Sequence, residues 1–180
     1  MKKILVITGS IRKNGNSGKL ADAFIEGAQE AGHQVERIDS AFLNVKGCVV
    51  CNNCFKNGIP CALGDDFNLV APKIEEADVV VFATPIYWFS FPAKIKAVID
   101  KLYAFCVAKT DIAGKESILL TCGEATEAVT ADGIMSSYHL IVDYLKWKNA
   151  GEICVLGVSD SNDIDGAKEL EKARALGVSL

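Results

Sequence analysis

Four cysteines fall within fourteen residues, in the pattern Cys48-x2-Cys51-x2-Cys54-x6-Cys61. Thiolates that close together in one glycine-containing loop could ligate a four-iron–four-sulfur cluster: the tight run wraps one corner region of a cube, and the longer gap lets the loop close. An all-cysteine tetrahedral zinc site would accept the same ligands, although a run of three is less usual there. Cys51 and Cys54 could instead form a thiol–disulfide pair, or the loop could be a structured excursion with metal-free thiols. The chain has seven cysteines. An odd count argues against a disulfide framework, and clustered thiols in a cytosolic chain point to metal or redox chemistry.

Three other stretches have chemistry in their residue types. Thr8-Gly9-Ser10-Ile11-Arg12-Lys13-Asn14-Gly15-Asn16-Ser17 combines two glycines, several hydroxyls and amides, and two cations just before a helix start. Free amides at that helix N-terminus would complete a phosphate cradle. The alternative is a polar loop in which Asn16 or Ser17 merely caps the helix. Neither the nucleotide P-loop nor the dinucleotide G-x-G-x-x-G pattern is present. Thr84–Pro92 holds Tyr87, Trp88, Phe89 and Phe91; aromatics on a rigid loop suit a flat ligand that stacks, or a hydrophobic oligomer contact. Thr121-Cys122-Gly123-Glu124-Ala125-Thr126 offers a glycine for close backbone approach.

Alternating patterns supply the elements that must position these loops. Strands are expected at Lys3–Thr8, Gln34–Asp39, Asp78–Ala83, Glu116–Thr121 and Glu152–Val158. Helices are expected from Ser17 to Gly32 (Leu20, Ala23, Phe24, Ala28 and Ala31 inward), after Asp65-Asp66 (Phe67, Val70, Ala71 and Ile74 inward, Pro72 kinking or restarting it), and from Pro92 (Ile95, Val98, Ile99, Leu102). Two more are expected at Thr130–Lys146 and Asp165–Leu176, and residues 44–64 form an irregular cysteine-rich excursion. Strands separated by helices pair in parallel through right-handed crossovers, giving a single three-layer, doubly wound α/β domain over residues 1–180. Ligands in such sheets bind beyond the carboxyl ends of the strands, where the loops after Thr8, Ala83 and Thr121 lie.

Half the residues are hydrophobic and 23% are charged, which excludes a disordered tail or a coiled coil. Size scaling gives a folded surface of roughly 8,500 Å², with about 70% of the unfolded surface buried. The net charge of −4 and the lack of a basic cluster argue against nucleic acid as a partner. The apolar runs are far short of a membrane span, and Met1–Ile7 is too brief for a signal sequence, so a cytoplasmic protein is expected.

One ligand carries both a phosphate and a planar tricycle: flavin mononucleotide. Here the chain resembles the flavodoxin-like NADPH-dependent FMN reductase family, and more narrowly the iron–sulfur flavoproteins. The resemblance rests on Gly9-Ser10-x-Arg12-x-x-Gly15-Asn16-Ser17, Pro85-Ile86-Tyr87-Trp88, Lys94-Ile95-Lys96, Asp100 and the cysteine pattern followed by Asp65-Asp66, and covers roughly residues 1–123. It implies strand order 2-1-3-4-5, with Ser10, Arg12, Asn16 and Ser17 on the FMN phosphate. Pro85, Ile86, Tyr87 and Trp88 would line the isoalloxazine, with Phe89 nearby and Cys122 and Gly123 on its other side. Cys48, Cys51, Cys54 and Cys61 are the ligands of any cluster. Ile11, Ser17 and Lys101 stand where relatives often have proline, threonine and arginine.

The function expected from the resemblance is an FMN-dependent oxidoreductase that passes electrons from NAD(P)H to a quinone, a free flavin or a similar acceptor. The alternative is a non-enzymatic iron–sulfur flavoprotein relaying electrons between protein partners. No nucleophile–base pair is evident, as befits chemistry done by a cofactor. His33, beside a helix-ending glycine, reads as solvated or capping, and His139 as a satisfied helix histidine. Cys154 reads as core, and Cys106 lies past a helix end. A phosphoryl-receiver function is discarded because Thr8-Gly9-Ser10 stands where acidic residues would be needed, and a tyrosine phosphatase lacks its C-x5-R loop. Apolar residues around Phe89–Phe91 and the cysteine excursion point to a homodimer or homotetramer.

Overall fold

Runs such as Val79-Val80-Val81 and Ile4-Leu5-Val6-Ile7 have no polar alternation, so both faces of their strands must be covered. A computed structural model describes residues 1–180 and meets that demand with a five-stranded, wholly parallel sheet. The strands are β1 (Lys3–Thr8), β2 (Gln34–Asp39), β3 (Val79–Pro85), β4 (Glu116–Gly123) and β5 (Lys148–Leu156), in the order β2-β1-β3-β4-β5. The helices are α1 (Asn16–Glu30), α2 (Phe67–Glu76), α3 (Ala93–Asp100), α4 (Tyr103–Ala108), α5 (Asp132–Tyr144) and α6 (Lys168–Val178). The order places the switch point between β1 and β3, which pair from Ile4–Val79 to Thr8–Ala83.

Successive β1 residues feed opposite core layers. Ile4 and Val6 pack with Leu20, Phe24 and Ala173 of α1 and α6. Leu5 and Ile7 pack with Phe67, Ile74, Ile95 and Phe105 on the other face. The accessible surface of 8765 Å² agrees with the size expectation. Helices α1 and α6 touch backbone to backbone: a Cβ on Gly27 would lie 2.0 Å from the Arg174 carbonyl oxygen, and one on Gly177 would lie 2.2 Å from that of Phe24. Only glycine permits this approach, and it draws the β5–α6 loop over the start of α1.

Several boundaries differ from expectation for local reasons. α2 runs through Pro72 without a break, and its inward Phe67, Val70, Ala71 and Ile74 are all buried. α4 was not expected as a separate helix. β5 begins at Lys148, earlier than its apolar part, because Lys148 and Asn149 pair with Glu116 and Ser117 of β4, and Ala150 is bulged out before Gly151 pairs with Ile118. α6 starts at Lys168 rather than Asp165, since Gly166 sits at φ +75° outside the helical region. α5 starts at Asp132, after a short 3-10 turn at Ala128–Ala131. In α1, Leu20, Phe24 and Ala28 are buried as expected, while Ala31, just past the helix end, is exposed.

Candidate functional site

The loops after β1, β3 and β4 meet in one cleft at the carboxyl edge of the sheet. It is lined by Ser10, Arg12, Gly15, Asn16, Ser17, Pro85, Ile86, Tyr87, Cys122, Gly123 and Glu124, with Val158 and Ser159 closing one side. Trp88 and Phe89 line an adjoining cleft that shares Ile86, Gly123 and Glu124 with the first. The two measure about 210 and 420 Å³, and together they fall in the range of ~300–1,000 Å³ usual for small-ligand sites.

At the phosphate end, α1 begins after Gly15 with no side-chain cap and no acidic residue in its first turn. Its first amides therefore lack intrahelical partners, a ready anion site. Ser10 Oγ accepts from the Arg12 amide at 3.1 Å, which shapes the turn. Arg12 Nη1 donates to the Ser159 carbonyl at 2.8 Å, and Asn16 Nδ2 to that of Asp160 at 2.9 Å. Lys19 adds an ion pair to Asp165. Two amide hydrogen bonds, from Ser159 and then Asp160, hold the Asp163 carboxyl below its ordinary value. The β5–α6 loop thus straps the phosphate turn. No sequence signal marked Val158 and Ser159, because they act through backbone. Asn16 Oδ1 is buried without any hydrogen-bond partner. A ligand with a short polyol between phosphate and ring would supply the missing donor, so the residues present fit FMN.

At the ring end, the Ile86 amide donates to the Cys122 carbonyl at 2.8 Å, which locks the β3 and β4 loops together. Tyr87 and Ser90 exchange two backbone hydrogen bonds of 3.0 Å around Trp88 and Phe89. Both central residues are left-handed, at φ 47° and 63°. That is the backbone of a mirror-image turn, normally Asn-Gly. Trp88 is 93% exposed, Tyr87 and Phe89 are about half exposed, and Phe91 turns inward against Phe82. Bulky residues in this region store strain of ~1–3 kcal/mol each, a feature that clusters at ligand sites. Cys122 is buried beneath the cleft. Burial and then the nearby Cys154 push its thiol up to about 12, which the neighbouring Ser17 offsets only in part. Cys122 is therefore a neutral wall.

The cysteine excursion forms a second centre. Cys48, Cys51, Cys54 and Cys61 all line one apolar cavity with Ala62, Leu63, Phe67, Lys101, Tyr103 and Ala104. Burial raises the Cys54 thiol, and Cys51, Cys61 and Cys48 reinforce it as neighbouring thiols. No three histidine, cysteine or carboxylate side chains are close enough to chelate a single metal ion. Val50, Asn52, Phe55 and Asn57 are all left-handed, with φ of 52–56°. All seven cysteines are unpaired. Beside the cavity, Lys101 and Asp65 form a buried ion pair of 2.5 Å. Burial alone would raise the Asp65 carboxyl, but hydrogen bonds from Lys101 and the Lys46 amide hold it below the ordinary range. Burial alone would lower Lys101, and bonds to Asp65 and Cys61 outweigh it. No helix is long and apolar enough to cross a membrane.

Among solved structures the chain is similar to the NAD(P)H:quinone oxidoreductase from Methanothermobacter marburgensis. The TM-score is 0.71 at 21% identity, covering 99% of this chain and 95% of that one. An iron–sulfur flavoprotein of Archaeoglobus fulgidus is 31% identical over 103 residues, which span 57% of this chain and 46% of the relative. The ribosyldihydronicotinamide dehydrogenase [quinone] of Mus musculus is 27% identical over 171 residues, spanning 81% and 72%. The chain spans about half the length of the curated iron–sulfur flavoproteins it matches, 46–51%. A parallel sheet with its cleft at the β1/β3 switch point accords with the remaining comparison: the family model for NADPH-dependent FMN reductase matches residues 2–145, and the chain belongs to that family.

Proposed function

We propose that the chain is an FMN-dependent oxidoreductase that takes electrons from NAD(P)H and passes them to a quinone, a free flavin or a similar small acceptor. The observation that supports this most is the convergence of the phosphate turn and the aromatic turn on one continuous pair of clefts. Ser10, Arg12 and the first amides of α1, at Asn16 and Ser17, would hold the phosphate, and Asn16 Oδ1 a hydroxyl of the linking chain. Pro85, Ile86 and Tyr87 would lie along the ring, with Trp88 and Phe89 at its open side and Cys122 and Gly123 opposite. FMN, when bound, supplies the hydride and single-electron chemistry. The protein positions the ring, excludes water from its buried side and offers no titrating thiol there. Its exposed aromatic turn suits a stacked substrate or a second copy of the chain, and we take the assembly to be a homodimer or homotetramer in the cytoplasm. Steady-state NAD(P)H oxidation by the FMN-loaded protein with a quinone acceptor tests the activity. Sustained turnover is expected, and negligible turnover overturns it.

A second reading is favoured by the cysteine cavity: a four-iron–four-sulfur cluster on Cys48, Cys51, Cys54 and Cys61, serving electron relay between protein partners. Four thiols lining one cavity, no three of them placed to chelate a single ion, suit a cube better than tetrahedral zinc. Protein purified without oxygen should show a broad brown absorption beside the flavin bands, and Cys54→Ser should remove the brown and spare the yellow. An unchanged spectrum in that variant would rule the cluster out.

A further inference from the structure

Lys101 is the only buried cation of the chain: its side chain is 2% exposed, and that of its partner Asp65 is 0% exposed. A lysine ammonium has three donors, and here two of them have acceptors. One goes to Asp65 Oδ2 at 2.5 Å and one to Cys61 Sγ at 3.2 Å, while the ammonium lies 5.7 Å from the Phe67 ring centre. Asp65 is equally committed, accepting also from the Lys46 and Phe67 amides. Of the four cavity cysteines, Cys61 alone receives a side-chain hydrogen bond at sulfur.

Holding the Cys61 backbone does not require Lys101. Asn68 already clamps it from both sides, accepting from the Cys61 amide at 2.6 Å and donating to its carbonyl at 3.1 Å. What Lys101 adds is a positive charge and an N–H aimed at the sulfur, in an apolar pocket where charge acts strongly. Reduction potentials of iron–sulfur clusters are set by net charge, by hydrogen bonds to the sulfurs and by solvent exposure. Asp65 makes the buried ammonium tolerable but is not bonded to sulfur itself.

We infer that Lys101 is a positioning residue that sets the reduction potential of the cysteine-held cluster, favouring its reduced form through the hydrogen bond to Cys61. The inference rests on the cluster assignment proposed above. One electron is added and no bond is made or broken, so the extra negative charge falls partly on the ligand sulfurs, where the ammonium stabilises it.

The test uses the full chain, reconstituted without oxygen with iron and sulfide, assayed for bound iron, and titrated with dithionite while the reduced cluster is followed by electron paramagnetic resonance. Lys101→Met should lower the midpoint so that the reduced-to-oxidised ratio at the wild-type midpoint falls about tenfold, which is about 59 mV for one electron. Asp65→Asn, which leaves the cation uncompensated, should raise it. The double variant Lys101→Met/Asp65→Asn removes both buried charges, so it keeps the test open should a single variant fail to fold. Its midpoint should fall, by less than in Lys101→Met. A merely structural role would reduce iron content without moving the potential of the loaded fraction. Loaded variants with an unchanged midpoint, or single variants shifting in the same direction, overturn the inference alone. Wild-type protein that takes up no cluster overturns the assignment and the inference together.

Discussion

Arg12 has one guanidinium nitrogen on the Ser159 carbonyl and the rest of its fork free at the phosphate end of the cleft. A planar fork with spare donors beside an uncapped helix start is suited to a phosphate, and hydrogen bonds to charged groups contribute about 1.5–3 kcal/mol each. Arg12→Ala should therefore weaken FMN binding about ten- to a hundredfold. Equilibrium titration of flavin fluorescence checks this, and unchanged affinity would remove Arg12 from the site. The residue is exposed, so the variant should keep its thermal stability. Among the residues, the sequence picks out several that share one cleft but not how they divide the work. Asn16 and Ser17 are both expected on the phosphate; in the structure Asn16 Nδ2 donates to the Asp160 carbonyl and Ser17 lies beside Cys122. Side-chain direction inside a turn depends on neighbours distant in sequence, which spacing alone cannot reveal.

Among the elements, the aromatic turn is the one whose local conformation contradicts its residue types. Left-handed Trp88 and Phe89 occupy places that glycine or asparagine would fill without strain. Trp88→Gly should raise stability by ~1 kcal/mol, a gain of about 2–4 °C in Tm for a chain this size, while weakening flavin binding. A calorimetric scan that shows a lower Tm would contradict the strain. Strands β1 and β2 were legible to the residue, because each is an uninterrupted apolar or alternating run closed by a turn. The first residues of β5 were not, since Lys148 and Asn149 pair at the sheet edge with little apolar content, just before the bulge at Ala150. The β5–α6 strap was equally hidden. Its position depends on the Gly27–Arg174 and Gly177–Phe24 approaches, which bring α6 onto α1 from the far end of the chain.

For the whole molecule, the buried Asp65–Lys101 pair ties the excursion, α2 and the end of α3 into one core layer. Asp65 is held below its ordinary value of 3.8, so its contribution is present above that pH and is lost as pH falls through the lower folded value. Lys101 is held above its ordinary 10.5, so its contribution is present below that pH and is lost as pH rises through the higher folded value. Breaking such a pair costs ~3–5 kcal/mol. Thermal melts should show a plateau between these limits and a fall on either side. The fall on each side should be shallower in the Lys101→Met/Asp65→Asn variant, and identical profiles would show that the pair is not the titrating element. The architecture at this scale was legible because five buried strands alternating with amphipathic helices leave few topologies. The convergence of three loops and the closing of four thiols on one cavity followed from that topology and from the resemblance together. The buried lysine beside them did not, since nothing in the pattern around Lys101 distinguishes it from a surface cation.

In the proposed function, the turn after β1 and the turn after β3 hold the two ends of one FMN molecule. Its most direct test is a parallel titration of the flavin-free protein with FMN and with riboflavin, which shares the ring but lacks the phosphate. FMN should bind with its fluorescence quenched, and riboflavin at least about tenfold more weakly, the loss expected when charge-assisted hydrogen bonds are removed. Equal affinities, or no quenching with either, would show that the two turns do not share one FMN.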